Sequence, residues 1–185
     1  MFYHARRLFL TAKSLLAEAN FPDVTTYLPA ESRAPLEPEI VGPVLSLDLG
    51  SKRVGAAVSH PRLVAITRLG VINRSSWKQL LHDVCDLIRR FDAKTLVIGF
   101  PLRLDGSEGS AAIAVRETAQ KFALSLTLPV YLQDERLSST EAQERLRAEG
   151  LRGQAITDQL DSESAAIILR DFIEHGQQRT MIERP

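Results

Sequence analysis

The chain has 185 residues, 44% of them hydrophobic and 25% charged, and its 23 basic side chains balance 23 acidic ones to a formal net charge of zero. That length suits one domain, or one domain with an appendage. The balance excludes a protein held on nucleic acid by uniform positive charge, so any contact with phosphates must come from local patches. Eighteen Arg against five Lys supply the better bidentate phosphate ligand. A lone cysteine, Cys85, excludes an internal disulfide, and with four scattered His it gives no zinc-ligand spacing. No apolar run approaches the roughly 20 residues of a membrane helix. These features set the expectation of a cytoplasmic protein with no membrane segment.

Residues 1–42 read as an N-terminal appendage. Phe2, Leu8, Phe9, Leu15 and Leu16 suggest a short helix, and Pro22, Pro29, Pro35 and Pro38 mark a linker that no regular element tolerates. The texture changes at Pro43. Val44 to Asp48, Arg53 to Ser59 and Ala65 to Ile72 are three closely spaced strands, expected as an antiparallel meander. Leu80, Val84, Leu87, Ile88 and Phe91 then recur at helical spacing, and Thr95 to Gly99 reads as a buried strand. Ala112, Val115, Ala119 and Phe122 mark a second helix, and Val130 to Gln133 a further strand. Ser138 with Glu141 fits a capping box, and Gly150 fits a helix stop. A last helix is expected from about Asp158 to His175, with residues 177–185 as a tail. Three hairpin-linked strands followed by βαβ crossovers predict an α/β domain over residues 43–176, with a mixed five-stranded sheet and helices on both faces.

Four clusters carry candidate chemistry. Asp48 closes the first strand, at the carboxyl edge where open α/β sheets bind ligands, and Gly50 allows close backbone approach beyond it. Glu108 lies in a loop leaving the buried strand that ends at Gly99. Asp134 and Glu135 lie at the exit of the last crossover strand. In the final helix, stepping back from Phe172, Leu169, Ile168 and Ala165 by threes and fours arrives at Asp161 and then Asp158. The apolar stripe calls for a hydrophobic residue there, and a charge in that position is costly unless paired. Two carboxylates about 4 Å apart repel by about 4 kcal/mol at an effective dielectric near 20, so such a cluster needs a cation. An oxygen-only donor set suits Mg²⁺ or Mn²⁺ rather than zinc. The reaction class this implies is metal-assisted phosphodiester hydrolysis.

Four blocks carry a family likeness: Leu47-Asp48-Leu49-Gly50-Ser51-Lys52-Arg53-Val54-Gly55, Gly99-Phe100-Pro101 with Asp105-Gly106-Ser107-Glu108-Gly109, Asp134-Glu135-Arg136-Leu137-Ser138-Ser139, and Asp161-Ser162-Glu163-Ser164-Ala165. In this order they resemble the signature blocks of the YqgF/RuvX family, RNase H-like proteins described as Holliday junction resolvases and as pre-16S rRNA nucleases. The likeness spans about residues 43–176. It implies an RNase H-like fold, divalent-metal nuclease activity and a role in trimming the 5′ end of 16S rRNA on the small-subunit precursor. Block by block, Asp48, Glu135 and Asp161 fall on the family's metal-binding catalytic acids. Glu108, Asp134 or Asp158 are the candidates to complete the metal shell. Lys52, Arg53, Arg136 and Ser138 fall in the same blocks and are the candidate substrate contacts, assigned from charge and position.

Three other readings compete. A resolvase would act on branched DNA, and sequence alone leaves monomer and homodimer both open. The Asp-x-Gly-x-Lys-Arg turn also resembles the first phosphate loop of actin-like ATPases, but those enclose nucleotide between two such domains and residues 43–176 supply one. A non-catalytic ribosome-assembly protein on the same fold is the third. Clustered acids beside phosphates argue against it.

Overall fold

Strand alternation divides the chain's apolar residues between two cores, and the sheet between them fixes where the acids emerge. The computed structural model describes residues 40–135, 138–175 and 179–184, with Ser138 described by its backbone alone. Nearly all of the expected appendage, together with Arg136 and Leu137, therefore lies outside the described residues. Residues from Ile40 onward form one compact unit.

Its strands are β1 (Val44–Leu49), β2 (Arg53–Ser59), β3 (Ile66–Arg68), β4 (Ile72–Asn73), β5 (Thr95–Phe100), β6 (Val130–Asp134) and β7 (Arg179–Met181). The helices are α1 (Trp77–Phe91), α2 (Ser110–Ser125), α3 (Ser138–Ala148) and α4 (Gln154–Glu174). The sheet runs β3-β2-β1-β5-β6-β7, with β4 also paired to β2. Pairs β1–β5 and β5–β6 are parallel, and the others are antiparallel. This is the expected α/β, RNase H-like mixed sheet, a meander followed by parallel crossovers.

The strand count differs from the expected five. The third predicted strand breaks at Leu69-Gly70-Val71 into β3 and β4, because glycine weakens a strand interior, and both pieces pair with β2. The second difference is at the C-terminal end. Arg179–Met181, expected in the tail, adds an antiparallel edge strand to β6.

Leu45, Leu47, Val54, Ala56, Leu96, Ile98 and Leu132 face α1 and α2, where Phe122 packs edge-on against Trp77 at 4.8 Å between ring centroids. Cys85 is partly buried against this core. Val44, Ala57, Val97 and Tyr131 face α4, joined by Ala165, Ile168, Leu169 and Phe172. Helix α4 begins earlier than expected, at Gln154, and residues 162–169 are buried on every side. The sheet covers one flank and α3, through Ala142 and Leu146, adds to the buried core near the other. A helix buried all round is the mark of a central element.

Gly150 stops α3 as expected, at φ +89°. The Ser138 half of the expected capping box lies outside the described side chains, and Glu141 stands in the first turn of α3. Its carboxylate takes a bidentate contact from Arg170 at 2.6 and 3.1 Å, tying α3 to α4.

Candidate active site

The period of two along a strand puts Asp48 on the α4 face, since Leu47 points into the opposite core. Directly across the ladder from Asp48 is Gly55. A Cβ at Gly55 would stand 1.8 Å from the backbone oxygen of Asp161. The missing side chain lets α4 approach the sheet closely enough to bring Asp161 beside Asp48.

A second glycine makes the same kind of room on β5. The amide of Glu135 donates to Phe100 O at 3.2 Å, so the β6 alternation carries one residue past the strand and turns Glu135 to the α4 face. Its carboxylate reaches over Gly99, where a Cβ would lie 2.0 Å from Oε2. Three acids from β1, the β6 exit and α4 are thereby gathered on one side of the sheet.

Their electrostatics follow from this crowding. Burial pushes the Asp48 carboxyl up to about 6, the Asp161 charge adds to the rise, and a hydrogen bond from the Ser164 hydroxyl offsets part of it. Burial likewise pushes Glu135 up to about 9, with the charges of Asp48 and then Asp134 contributing. Each carboxyl resists ionisation while its neighbours are ionised. Arg53 stands against Asp161, with its Nε 2.8 Å from Oδ2. Arg53 Nη2 also donates to Thr157 O at 3.3 Å.

The remaining sequence candidates lie in other surroundings. Asp134 follows Gln133 in the alternation and points away from Glu135's side, yet stays near enough to act on it through charge. Glu108 is exposed and takes a two-pronged contact from Arg116, whose guanidinium lies 4.8 Å over the Phe100 ring. Asp158 is exposed and accepts from Gln154 within its own helix at 2.8 Å. Lys52 is exposed on the turn between β1 and β2. Arg136 and the Ser138 side chain lie outside the described residues.

Sequence reasoning missed Ser164 and Arg74. Ser164 is buried three residues beyond Asp161, and helical spacing alone could have found it. Arg74 donates to Gly50 O at 3.1 Å and its amide to Lys52 O at 2.9 Å, which braces the turn after Asp48 from a loop with no motif of its own.

Among the described residues, no three His, Cys, Asp or Glu side chains stand together as a ready metal site. The donors themselves fit a hard divalent cation. They are oxygen only, they crowd one another, and Gly99 leaves space for the Glu135 carboxyl.

A sequence profile of the RuvX family, described as Holliday junction resolvase, matches residues 42–175. The chain belongs to the RuvX family. Relatives named "Putative pre-16S rRNA nuclease" bear this out. One from Anaeromyxobacter sp. (strain Fw109-5) is 36% identical over 130 residues, covering 70% of this chain and 95% of the relative. Another from Syntrophus aciditrophicus (strain SB) is 33% identical over 131 residues, covering 71% and 87%. Among solved structures, T. thermophilus RuvC in complex with Holliday junction substrate aligns over 75% of this chain and 98% of that one, at TM-score 0.48 and 15% identity. As a RuvX-family member the chain is a nuclease, a hydrolase of phosphodiester bonds in nucleic acid. Among the described residues no helix is long and apolar enough to cross a membrane.

Proposed function

We propose that this nuclease depends on Mg²⁺ or Mn²⁺ held by Asp48, Glu135 and Asp161, and that it matures the 5′ end of precursor 16S rRNA in the cytoplasm. The convergence of the three acids on one sheet face carries the reading. Burial and mutual repulsion there raise the Asp48 and Glu135 carboxyls well above their ordinary range, a cost that a protein serving only to bind phosphates would have no reason to bear. A bound cation would supply water activation and charge stabilisation on the leaving oxygen.

The chain's own residues have distinct tasks in this scheme. Ser164 orients Asp48 and favours its ionised form. Arg74 keeps the Gly50 turn in shape. Lys52 and Arg53 meet substrate phosphates on the β1–β2 side, with Arg136 and Ser138 contributing from the block that follows Glu135. Asp134 tunes Glu135 by its charge, while Glu108 and Asp158 serve their own loop and helix.

RNA is preferred as substrate because the relatives at 33–36% identity carry the pre-16S name. Branched DNA is the alternative, favoured by the description of the matching family. A resolvase needs two sites for two strands and hence a symmetric dimer, whereas trimming an rRNA leader on the small-subunit precursor needs only a monomer. Competition between the two substrates decides. Cutting of a precursor 16S leader at concentrations where a four-way junction stays intact supports the RNA assignment. Junction cleavage by a sedimenting dimer with no cut in the leader transfers it to DNA.

A further inference from the structure

Arg53 stands where a phosphate ligand was expected, but its guanidinium is turned onto one of the acids. Its Nε lies 2.8 Å from Asp161 Oδ2, with the Arg53 side chain 40% exposed and that of Asp161 24% exposed. Oδ2 itself is shut off from water, and no donor among the described residues is aligned to hydrogen-bond it. The contact therefore neutralises the oxygen's charge while leaving its lone pairs unfilled. Arg53 is fastened on its other side to Thr157 O, in the first turns of the same helix. Arginine cannot shed its charge in a protein, so the pair can be opened only by a rival for one of its ends. One of the five guanidinium N–H groups hydrogen-bonds a described group, Thr157 O, and the planar fork has donors to offer an anion.

We propose that Arg53 is the resident counter-ion of the metal-free site: it neutralises Asp161 until a divalent cation takes Oδ2, and it is then released toward the substrate phosphate. The inference rests on the metal reading above. Metal affinity is lowered by the strength of the pair, and the same arginine serves two anions in turn. Because one end of the pair is half in water, its opposition to the cation is that of an exposed ion pair, worth up to about fivefold in affinity.

The test reads metal binding by the full-length protein without substrate. Mn²⁺ is titrated into wild type, Arg53→Gln and Lys52→Gln, and free Mn²⁺ is followed by its electron paramagnetic resonance signal. Arg53→Gln is expected to bind about fivefold more tightly than wild type. Lys52→Gln, which removes a neighbouring charge without an Asp161 contact, is expected to match wild type. Equal gains in both variants would reduce the effect to bulk charge and overturn the proposal. So would weaker binding by Arg53→Gln, which would make Arg53 a support for the site rather than a rival. Absence of saturable binding in wild type and variants alike would overturn the metal reading and this inference with it. Saturable binding unaltered by Arg53→Gln would overturn this inference alone. A readout on wild type covers misfolding of the variants: the Arg53 Nε–H resonance must shift as Mg²⁺ saturates the protein, and an unmoved resonance contradicts release.

Discussion

The backbone oxygen of Asp161 occupies the space that a side chain at Gly55 would need, 1.8 Å from where a Cβ would be. Gly55 is also the ladder partner of Asp48, so one small residue sets the distance between two of the acids. Gly55→Ala must push α4 off β2, and overpacking of this kind costs about 1–3 kcal/mol. Urea unfolding should show that loss together with a loss of cleavage. Wild-type stability and activity in the variant would mean that α4 does not depend on this contact.

Gly99 makes a parallel case with a different outcome. A Cβ there would lie 2.0 Å from Glu135 Oε2 and 2.6 Å from the end of Ile168. Both are tips of flexible side chains, so Gly99→Ala should cost less stability than Gly55→Ala while displacing the carboxylate. A misplacement near 1 Å is worth about a hundredfold in rate. Steady-state cleavage beside thermal melting separates the two effects, and an active Gly99→Ala would show that Glu135 is not needed where it stands.

Ser164 hydrogen-bonds the Asp48 carboxylate and lowers its affinity for protons. Ser164→Ala should move the acid limb of the cleavage profile to higher pH, because Asp48 must be ionised to hold a cation. Removing the support of a metal ligand typically costs 10–100-fold in metal affinity or activity. A pH–rate profile superimposable on wild type would exclude this role.

Metal removal should make stability depend on pH in a definite direction. The folded-state values of Asp48 and Glu135 are raised, to about 6 and about 9, above ordinary values of 3.8 and 4.5. The folded state therefore holds protons that the unfolded chain has released. The associated stability is complete below about pH 4 and is lost as pH climbs through 6 and toward 9. In EDTA, the contribution of these two groups should make the melting temperature fall between pH 5 and pH 8, and saturating Mn²⁺ should remove most of that fall. A metal-free melting temperature that rises over the same interval would contradict the coupling.

The meander and crossovers were legible because strand periodicity and short connections leave few topologies. Asp48, Glu135 and Asp161 were legible because each lies where its element should present an apolar residue or end at the sheet's carboxyl edge. Other features depend on partners distant in sequence. The buried carboxylate of Glu163 is held by Arg68 at 3.0 Å from the edge strand β3 and by Arg145 at 3.6 Å from α3. Reading α4 as a helix with one apolar stripe gave no reason to expect an acid buried on another flank. The edge strand β7 was missed because Arg179-Thr180-Met181 has little apolar alternation, and it forms only by completing the ladder of β6. Asp134 and Glu135 look equivalent as adjacent acids, but strand alternation sends them to opposite faces. Arg53 was read as a phosphate contact from its charge and position, which could not reveal that its guanidinium lies against Asp161.

The central claim is that an acid at the end of β1 anchors metal-dependent hydrolysis, and Asp48→Asn tests it most directly. The substitution keeps the side chain's shape and removes a buried charge that repels its neighbours, so melting temperature should hold or rise. Loss of a direct ligand should exceed the 10–100-fold effect of losing a supporting group. Mg²⁺-dependent cleavage of a precursor 16S leader should therefore fall by more than about a hundredfold in a fully folded Asp48→Asn protein. Undiminished cleavage of both the leader and a four-way junction by that variant would contradict the account.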